Sequence, residues 1–168
     1  MNNKITELIE SSFRDVDVEL IEEDRVRVNV KQESLLTLLN FLKENRYSHL
    51  ALISCVDRIE ENFFELIYIV SPYMQQDESY TEREKVNVIL KTKLPRENAQ
   101  IGTAIEIFGA AEPYERELHE MFGIEFIGHP RLTPLFLERE YDIPPLRKDF
   151  DTRAYVEEKF GSIPPVED

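Results

Sequence analysis

Two runs near the N-terminus alternate apolar and polar side chains one for one: "VDVELIE", with Val16, Val18 and Leu20 in one phase, and "RVRVNVK", with Val26, Val28 and Val30. A strand sends successive side chains to opposite faces, so each run buries one face and wets the other. The polar "EEDR" between them reads as a hairpin turn. A chain built this way is committed to a sheet with one covered face, and other elements must supply the cover.

Two segments are patterned to do so. Residues 3–13 predict a short helix with Ile5, Leu8, Ile9 and Phe13 on one side, and "ESLLTLLNFLKEN" predicts a second with the stripe Leu35, Leu38, Leu39 and Leu42. Asn45 is its expected stop. Three further strands follow. His49–Val56 is apolar in both phases, which suits a central position, and Phe63–Val70 and Val86–Thr92 complete the set. The polar "SPYMQQDESYTEREK" joins the last two as a projecting loop or long hairpin. This order predicts an α+β fold: a mainly antiparallel mixed sheet with helices on one face, followed by an extended C-terminal segment. No Gly-rich fingerprint follows a strand, so neither dinucleotide binding nor a P-loop has motif support.

Beyond Pro95 the pattern changes. Residues 98–123 read as one or two helices broken near Gly109 or Pro113. Tyr114, Leu118, Met121 and Phe122 share a face at helical spacing and are expected in the core. On the remaining surface, four-residue spacing would let Glu115 pair with His119 and Arg116 with Glu120. Gly123 is the expected C-terminal cap, and "IEFIG" a short strand. The last forty or so residues carry prolines at 130, 134, 144 and 145, and their apolar side chains are scattered. Ordering each such residue costs about 1–2 kcal/mol of backbone entropy. The tail is therefore either disordered or held extended on a surface, including that of another chain. Leu135, Phe136, Leu137, Leu146 and Phe150, set among charges, favour the second reading.

Composition narrows the function. The 168 residues, 42% hydrophobic and 32% charged, suit one domain with a real core. A net charge of -14 with no basic tract makes nucleic acid a poor partner and disfavours direct binding to an anionic membrane. The single cysteine, Cys55, excludes an internal disulfide and an all-cysteine metal or cluster site, and its apolar setting reads as a buried hydrophobe. The opening "MNNKITELIE" has no apolar core of signal-peptide length, and no stretch reaches the roughly 20 apolar residues of a membrane span. A cytosolic setting is expected.

Metal and acid–base chemistry find little purchase. Glu115 and His119 share a helical face, but Glu120 lies about 100° away, His129 follows a glycine break, and two-histidine helical spacing is missing. His119 is the best candidate for proton chemistry, with a surface pair to Glu115 as its plainer role. His129, between Gly128 and Pro130, reads as a turn residue, and His49 opens a strand. An autonomous acid–base hydrolase using Glu115, His119 or Glu120 is the rival reading. In "PPLRKDF" a proline precedes the basic pair Arg147 and Lys148, then an acid and an aromatic, a pattern suited to anchoring through charge-assisted hydrogen bonds and one large ring.

Taken together, "YERELHEMFGIEFIGHPRL" and "PLRKDF" resemble the signature of the 30-kDa subunit of respiratory complex I, the bacterial NADH–quinone oxidoreductase, with relatives in F420H2 dehydrogenases and energy-converting hydrogenases. Glu115, Arg116 and Glu117 match its E-R-E element, and Met121, Phe122, Gly123 and Ile124 its M-F-G-I. Gly128, His129 and Pro130 match G-H-P, and Pro145, Leu146, Arg147, Lys148, Asp149 and Phe150 match P-L-R-K-D-F. Residues 1–94 match only in the order of their elements. Glu120 stands where the family has aspartate, "GHPRLTPLFL" replaces "GHPDLRRL", Ile143-Pro144-Pro145 replaces Gly-His/Tyr-Pro, and Tyr114 lies near the position of an absent tryptophan.

The resemblance implies a non-catalytic subunit of the peripheral arm, without a cofactor of its own, on the cytoplasmic side of the cell membrane and touching that membrane through the complex only. Its partners would be a 49-kDa-like large subunit and a cluster-bearing small subunit beside the quinone site, with the iron–sulfur clusters in those partner subunits. Residues 1–123 would form the α+β domain and 124–168 an extended docking segment, the matched motif residues lying at the subunit interface. The complex would pass electrons to a quinone or methanophenazine with ion translocation; the corresponding subunit of a membrane-bound hydrogenase is the alternative.

Overall fold

The computed structural model describes residues 4–72, 86–138 and 141–161. The chain forms α1 (Lys4–Ser12), β1 (Val16–Glu22), β2 (Arg25–Val30), α2 (Gln32–Glu44), β3 (His49–Arg58), β4 (Phe63–Ser71), β5 (Asn87–Pro95), β6 (Gln100–Gly102), α3 (Ala111–Phe122), β7 (Glu125–Ile127) and α4 (Thr152–Phe160). Most of the link between β4 and β5, residues 73–85, lies outside the described residues, as does the final proline pair.

Five strands build a mixed sheet in the order β1-β2-β5-β4-β3, antiparallel except where β2 runs parallel to β5. In β2, β4 and β5 the alternation in the sequence is the alternation of the faces, whereas Leu20 of β1, expected in the apolar phase, stays exposed. Val26, Val28 and Val30 of β2, Phe64, Leu66, Tyr68 and Val70 of β4, and Val88, Leu90 and Leu94 of β5 all point to one buried side. Ile5 and Ile9 of α1 and the α2 stripe Leu35, Leu38, Leu39 and Leu42 cover it. The fold is α+β with helices on one face. The opposite face carries polar cross-strand pairs, among them Arg27 with Glu19, Asn29 with Asp17, and Glu65 with both Arg58 and Lys91.

Three local expectations are corrected. His49–Val56 suggests a central strand, but β3 ends the sheet. A bulge between Leu50 and Leu52 switches its phase, so Leu50, Ile53, Cys55 and Asp57 all face inward. Leu52, in the other phase, stays exposed. At the bulge, Tyr114 of α3 donates its hydroxyl to the Ala51 carbonyl at 3.0 Å. The bulge, rather than strands on both sides, therefore accounts for apolar residues in both phases of the sequence.

Of the one or two helices expected across residues 98–123, one forms, over Ala111–Phe122, and the expected break at Pro113 does not occur. Asn98 turns the chain at φ 54°, β6 follows, and α3 starts only at Ala111, after Gly109. Pro113 does not break it, because a third helical residue has no intrahelical use for its missing N–H. β6 pairs in parallel with β7, so α3 crosses between two short strands whose Ile101 and Phe126 are buried. Gly123 ends α3 at φ 76°, its N–H bonded to the His119 carbonyl. Finally, α4 has no counterpart among the elements that the sequence pattern predicts. Asp151 caps it by accepting from the Ala154 N–H at 3.0 Å.

Candidate functional site

The matched motifs converge on α3 and the segment after it. The helix works on two faces. On the inner face Leu118 and Phe122 are buried, with Tyr114 and Met121 packed against the core. Glu115 is 0% exposed, and its carboxylate accepts from Thr103 Oγ1 at 2.5 Å and from the Ala104 N–H at 2.7 Å. Burial pushes its pKa up by more than those two bonds lower it. His119 lies elsewhere, its Nδ1–H donating to the Ile124 carbonyl at 2.9 Å. The expected Glu115–His119 pair is thus replaced by bonds to backbone and hydroxyl partners that the sequence spacing could not reveal.

The outer face of α3 holds the chain that returns over it. Arg116 does not pair with Glu120. Its guanidinium donates to the Thr133 and Pro134 carbonyls at 3.0 and 2.8 Å, with Glu112 at 3.4 Å. Glu120 accepts from three consecutive backbone N–H groups, those of Leu135, Phe136 and Leu137, at 3.2, 3.1 and 2.7 Å. A fork of donors and a carboxylate, one turn apart, grip the backbone from both polarities. Outside that grip, the Phe136 side chain is 64% exposed. Glu117 is half-buried on the same helix. Beyond β7, Gly128 turns the chain at φ 87°, and Pro130 is exposed. His129 Nδ1 accepts from the Arg131 N–H at 2.9 Å, which leaves Nε2 protonated, 3.4 Å from the Glu112 carbonyl.

Further on the tail returns to the end of α3. Pro144 sits over Gly123, where an added Cβ would stand 3.2 Å from its Cγ. The Leu146 N–H donates to the Met121 carbonyl at 3.0 Å, and the Leu146 side chain is 54% exposed. Pro145 is half-buried. The next residues meet a polar seat at the end of the large sheet. Asp57, 4% exposed, accepts from Arg96 Nε at 2.8 Å, from Arg96 Nη2 at 3.1 Å and from the Lys148 N–H at 2.8 Å. Arg96 also donates to Asp149 at 2.8 Å, and Arg147 reaches the same carboxylate at 3.3 Å. Burial alone would raise the Asp149 pKa, but a bond to its own backbone N–H and the Arg96 guanidinium hold it below the usual value. Both guanidiniums stand over the Phe64 ring, 5.6 and 5.4 Å from its centroid, and Phe64 meets Phe122 edge to face. Phe150 closes the segment in a cluster with Tyr141 and Tyr155.

Asp57, Arg96 and Thr103 are absent from the residues that motif and spacing single out. Asp57 does leave a trace in the sequence: it follows Ile53 and Cys55 in the inward phase of a strand, where an acid needs a partner. Arg96 and Thr103 leave none. The enclosed Glu115 and the carbonyl-bonded His119 offer no open acid–base pair to a substrate. Among the described residues no group of three or more His, Cys, Asp or Glu could hold a metal ion, and no helix is long and apolar enough to cross a membrane.

Comparison with known proteins points in one direction. The family described as "Respiratory-chain NADH dehydrogenase, 30 Kd subunit" matches residues 28–156. One subunit of the F(420)H(2) dehydrogenase of Methanosarcina mazei is 31% identical over 129 residues, 76% of either chain. The C/D 2 polypeptide of the NADH-quinone oxidoreductase of Aquifex aeolicus is 30% identical over 169 residues, covering 99% of this chain but 27% of that longer protein. A chain in the structure of the membrane-bound sulfane sulfur reductase, an archaeal respiratory membrane complex, superposes with a TM-score of 0.84 at 26% identity, over 98% of this chain and 94% of that one.

Proposed function

Because the chain belongs to the family of the 30-kDa subunit of respiratory-chain NADH dehydrogenases, we propose that it is a non-catalytic peripheral-arm subunit of a complex I-like membrane oxidoreductase. In this reading it supports and clamps a 49-kDa-like large subunit, beside a cluster-bearing small subunit, on the cytoplasmic side of the membrane. Electrons pass through the iron–sulfur clusters of those partners to a quinone or methanophenazine, coupled to ion translocation.

The observation that carries the reading is how residues 131–138 and 141–150 are held. Backbone groups of this segment are bonded inward to Arg116, Glu120, Met121 and Asp57, while Phe136, Ile143 and Leu146 stay exposed. A segment that spends its hydrogen bonds on its own domain and leaves large apolar side chains outward suits a docking surface. Glu115 and Phe122 support that surface from beneath. Glu117, Gly128, His129, Pro130, Pro145 and the Arg147–Phe150 turn complete it.

Deletion of residues 144–168 tests the proposal in the native organism. Loss of the large subunit from the purified complex, with loss of membrane quinone reduction, is the expected result; full assembly and activity would refute the docking role. A second reading keeps this scaffold role but changes the acceptor. It is favoured by the match, over 98% of this chain, to one chain in the structure of the archaeal membrane-bound sulfane sulfur reductase. Mass spectrometry of the intact complex, which identifies the neighbouring chains and their cofactors, separates the two.

A further inference from the structure

The geometry points to Asp57 and Arg96 as positioning residues: they form a preformed seat that fixes the Pro144–Phe150 turn on this chain's own sheet before any partner is present. The proposal rests on the docking reading only for its consequence in the assembly.

The seat comes from two strand ends that are remote from the tail in sequence. Asp57 lies in β3 and Arg96 follows β5, while Lys148 and Asp149 stand 91 and 53 residues from their respective partners. Asp57, Arg96, Asp149 and Arg147 form a chain of alternating acids and bases whose two guanidiniums stand over Phe64. The inner pair is nearly sealed, with side-chain exposures of 9% for Arg96 and 2% for Asp57.

Stability alone does not call for such a pair. A buried ion pair repays its desolvation poorly, and apolar residues of similar volume often serve a core as well or better. Asp57 occupies an inward position next to Cys55 and Phe64, where an apolar side chain would fit the pattern of its neighbours. What the pair supplies is direction. Arg96 satisfies both Asp57 oxygens, leaving Oδ2 able to accept one more N–H, and it is the Lys148 backbone that donates it. The Arg96 Nη2 extends past Asp57 to the Asp149 carboxylate. Two fixed bonds thus set the position of consecutive residues, and the Leu146 N–H bond to α3 sets a third point along the turn. Three points define orientation, so Leu146 and Phe150 are presented at fixed angles rather than on a loose strand. A partner meeting such a surface avoids the ordering cost that a disordered segment would carry into binding.

Hydrogen exchange on the isolated full-length chain tests this. In the unmodified protein, amides of residues 146–150 should exchange more slowly than an unstructured chain by on the order of tenfold or more. Arg96→Gln and Asp149→Ala, which removes the acceptor for Arg96, should each remove most of the protection at residues 148–150 while β4 and β5 amides keep theirs. Lys148→Ala, which spares the backbone donor, should change nothing. Asp149 is partly exposed, so its variant reports on the seat even if Arg96→Gln fails to fold. Free exchange of 146–150 in the unmodified isolated chain, or retained protection of 148–150 in both Arg96→Gln and Asp149→Ala, overturns the seat. Unprotected exchange in the free chain that becomes protected only within the complex would refute the seat and spare the docking reading. Protection in the free chain, combined with normal assembly after deletion of 144–168, would do the reverse.

Discussion

Glu115 lies wholly enclosed between α3 and the loop after β6, where its carboxyl meets Thr103 and Ala104. Its pKa is raised, chiefly by burial, above the ordinary 4.5. The folded protein therefore holds this proton at pH values where the unfolded chain has released it. The stability this gives is complete below about pH 4.5 and is lost as pH rises through the folded value. Urea titrations from pH 4.5 upward should show the unmodified protein losing stability relative to Glu115→Gln, whose side chain cannot ionise; parallel curves would contradict the assignment. Glu115→Ala orphans two buried donors at about 1–3 kcal/mol each, so a loss of about 3 kcal/mol is expected from the same titrations. Cys55 offers an independent check. Burial first, then the nearby Asp57 and Glu65 charges, push its thiol up to about 12. Alkylation at neutral pH should then proceed only through unfolding and accelerate in step with urea.

At the scale of elements, α3 is the member on which the tail depends, and Gly123 is its most constrained point. The residue adopts φ 76°, and Pro144 leaves little room for a Cβ. Gly123→Ala should cost about 1–2 kcal/mol from the left-handed backbone alone, with a further loss from displacing Pro144; a melting temperature within error of the parent would contradict this. The helix α4 stands at the other extreme. None of its residues is buried, so its stability leans on Asp151 and on Tyr155 in the aromatic cluster. Asp151→Ala should cost that helix about 1 kcal/mol, visible as faster amide exchange over 152–160 with the sheet unaffected. The family pattern for this region was legible in "EREL", "MFGI" and "PLRKDF", and the core face of α3 in its helical spacing. The partners of Arg116 and Glu120 were not, because helical spacing reports which side chains are neighbours on one helix. It is silent on the backbone that crosses the helix later.

For the molecule as a whole, the sheet and its helices form a platform, and residues 131–138 and 141–150 are bound to that platform from outside. Phe136 and Leu146 flank the last turn of α3, tied through Glu120 and Met121, and both remain exposed. Replacing both by aspartate should leave the isolated chain within about 0.5 kcal/mol of its parent, as surface changes usually do. The same pair should weaken the assembled complex by about 2 kcal/mol or more if they are central contacts. Urea unfolding of the free chain and pull-down of the large subunit measure the two effects, and unchanged pull-down would remove these residues from the interface.

The sequence by itself determined the inward face of β2 and of α2, that strands and helices would layer as α+β, and which family the last third resembles. These are local matters: period and motif are set by neighbours a few residues apart competing for burial or water. Tertiary structure alone decided that β3 ends the sheet, that Glu115 bonds to Thr103 and Ala104, and that Asp57 and Arg96 receive the tail. Each of those depends on groups brought together from distant parts of the chain, and a buried polar group takes whichever partner the fold delivers to it.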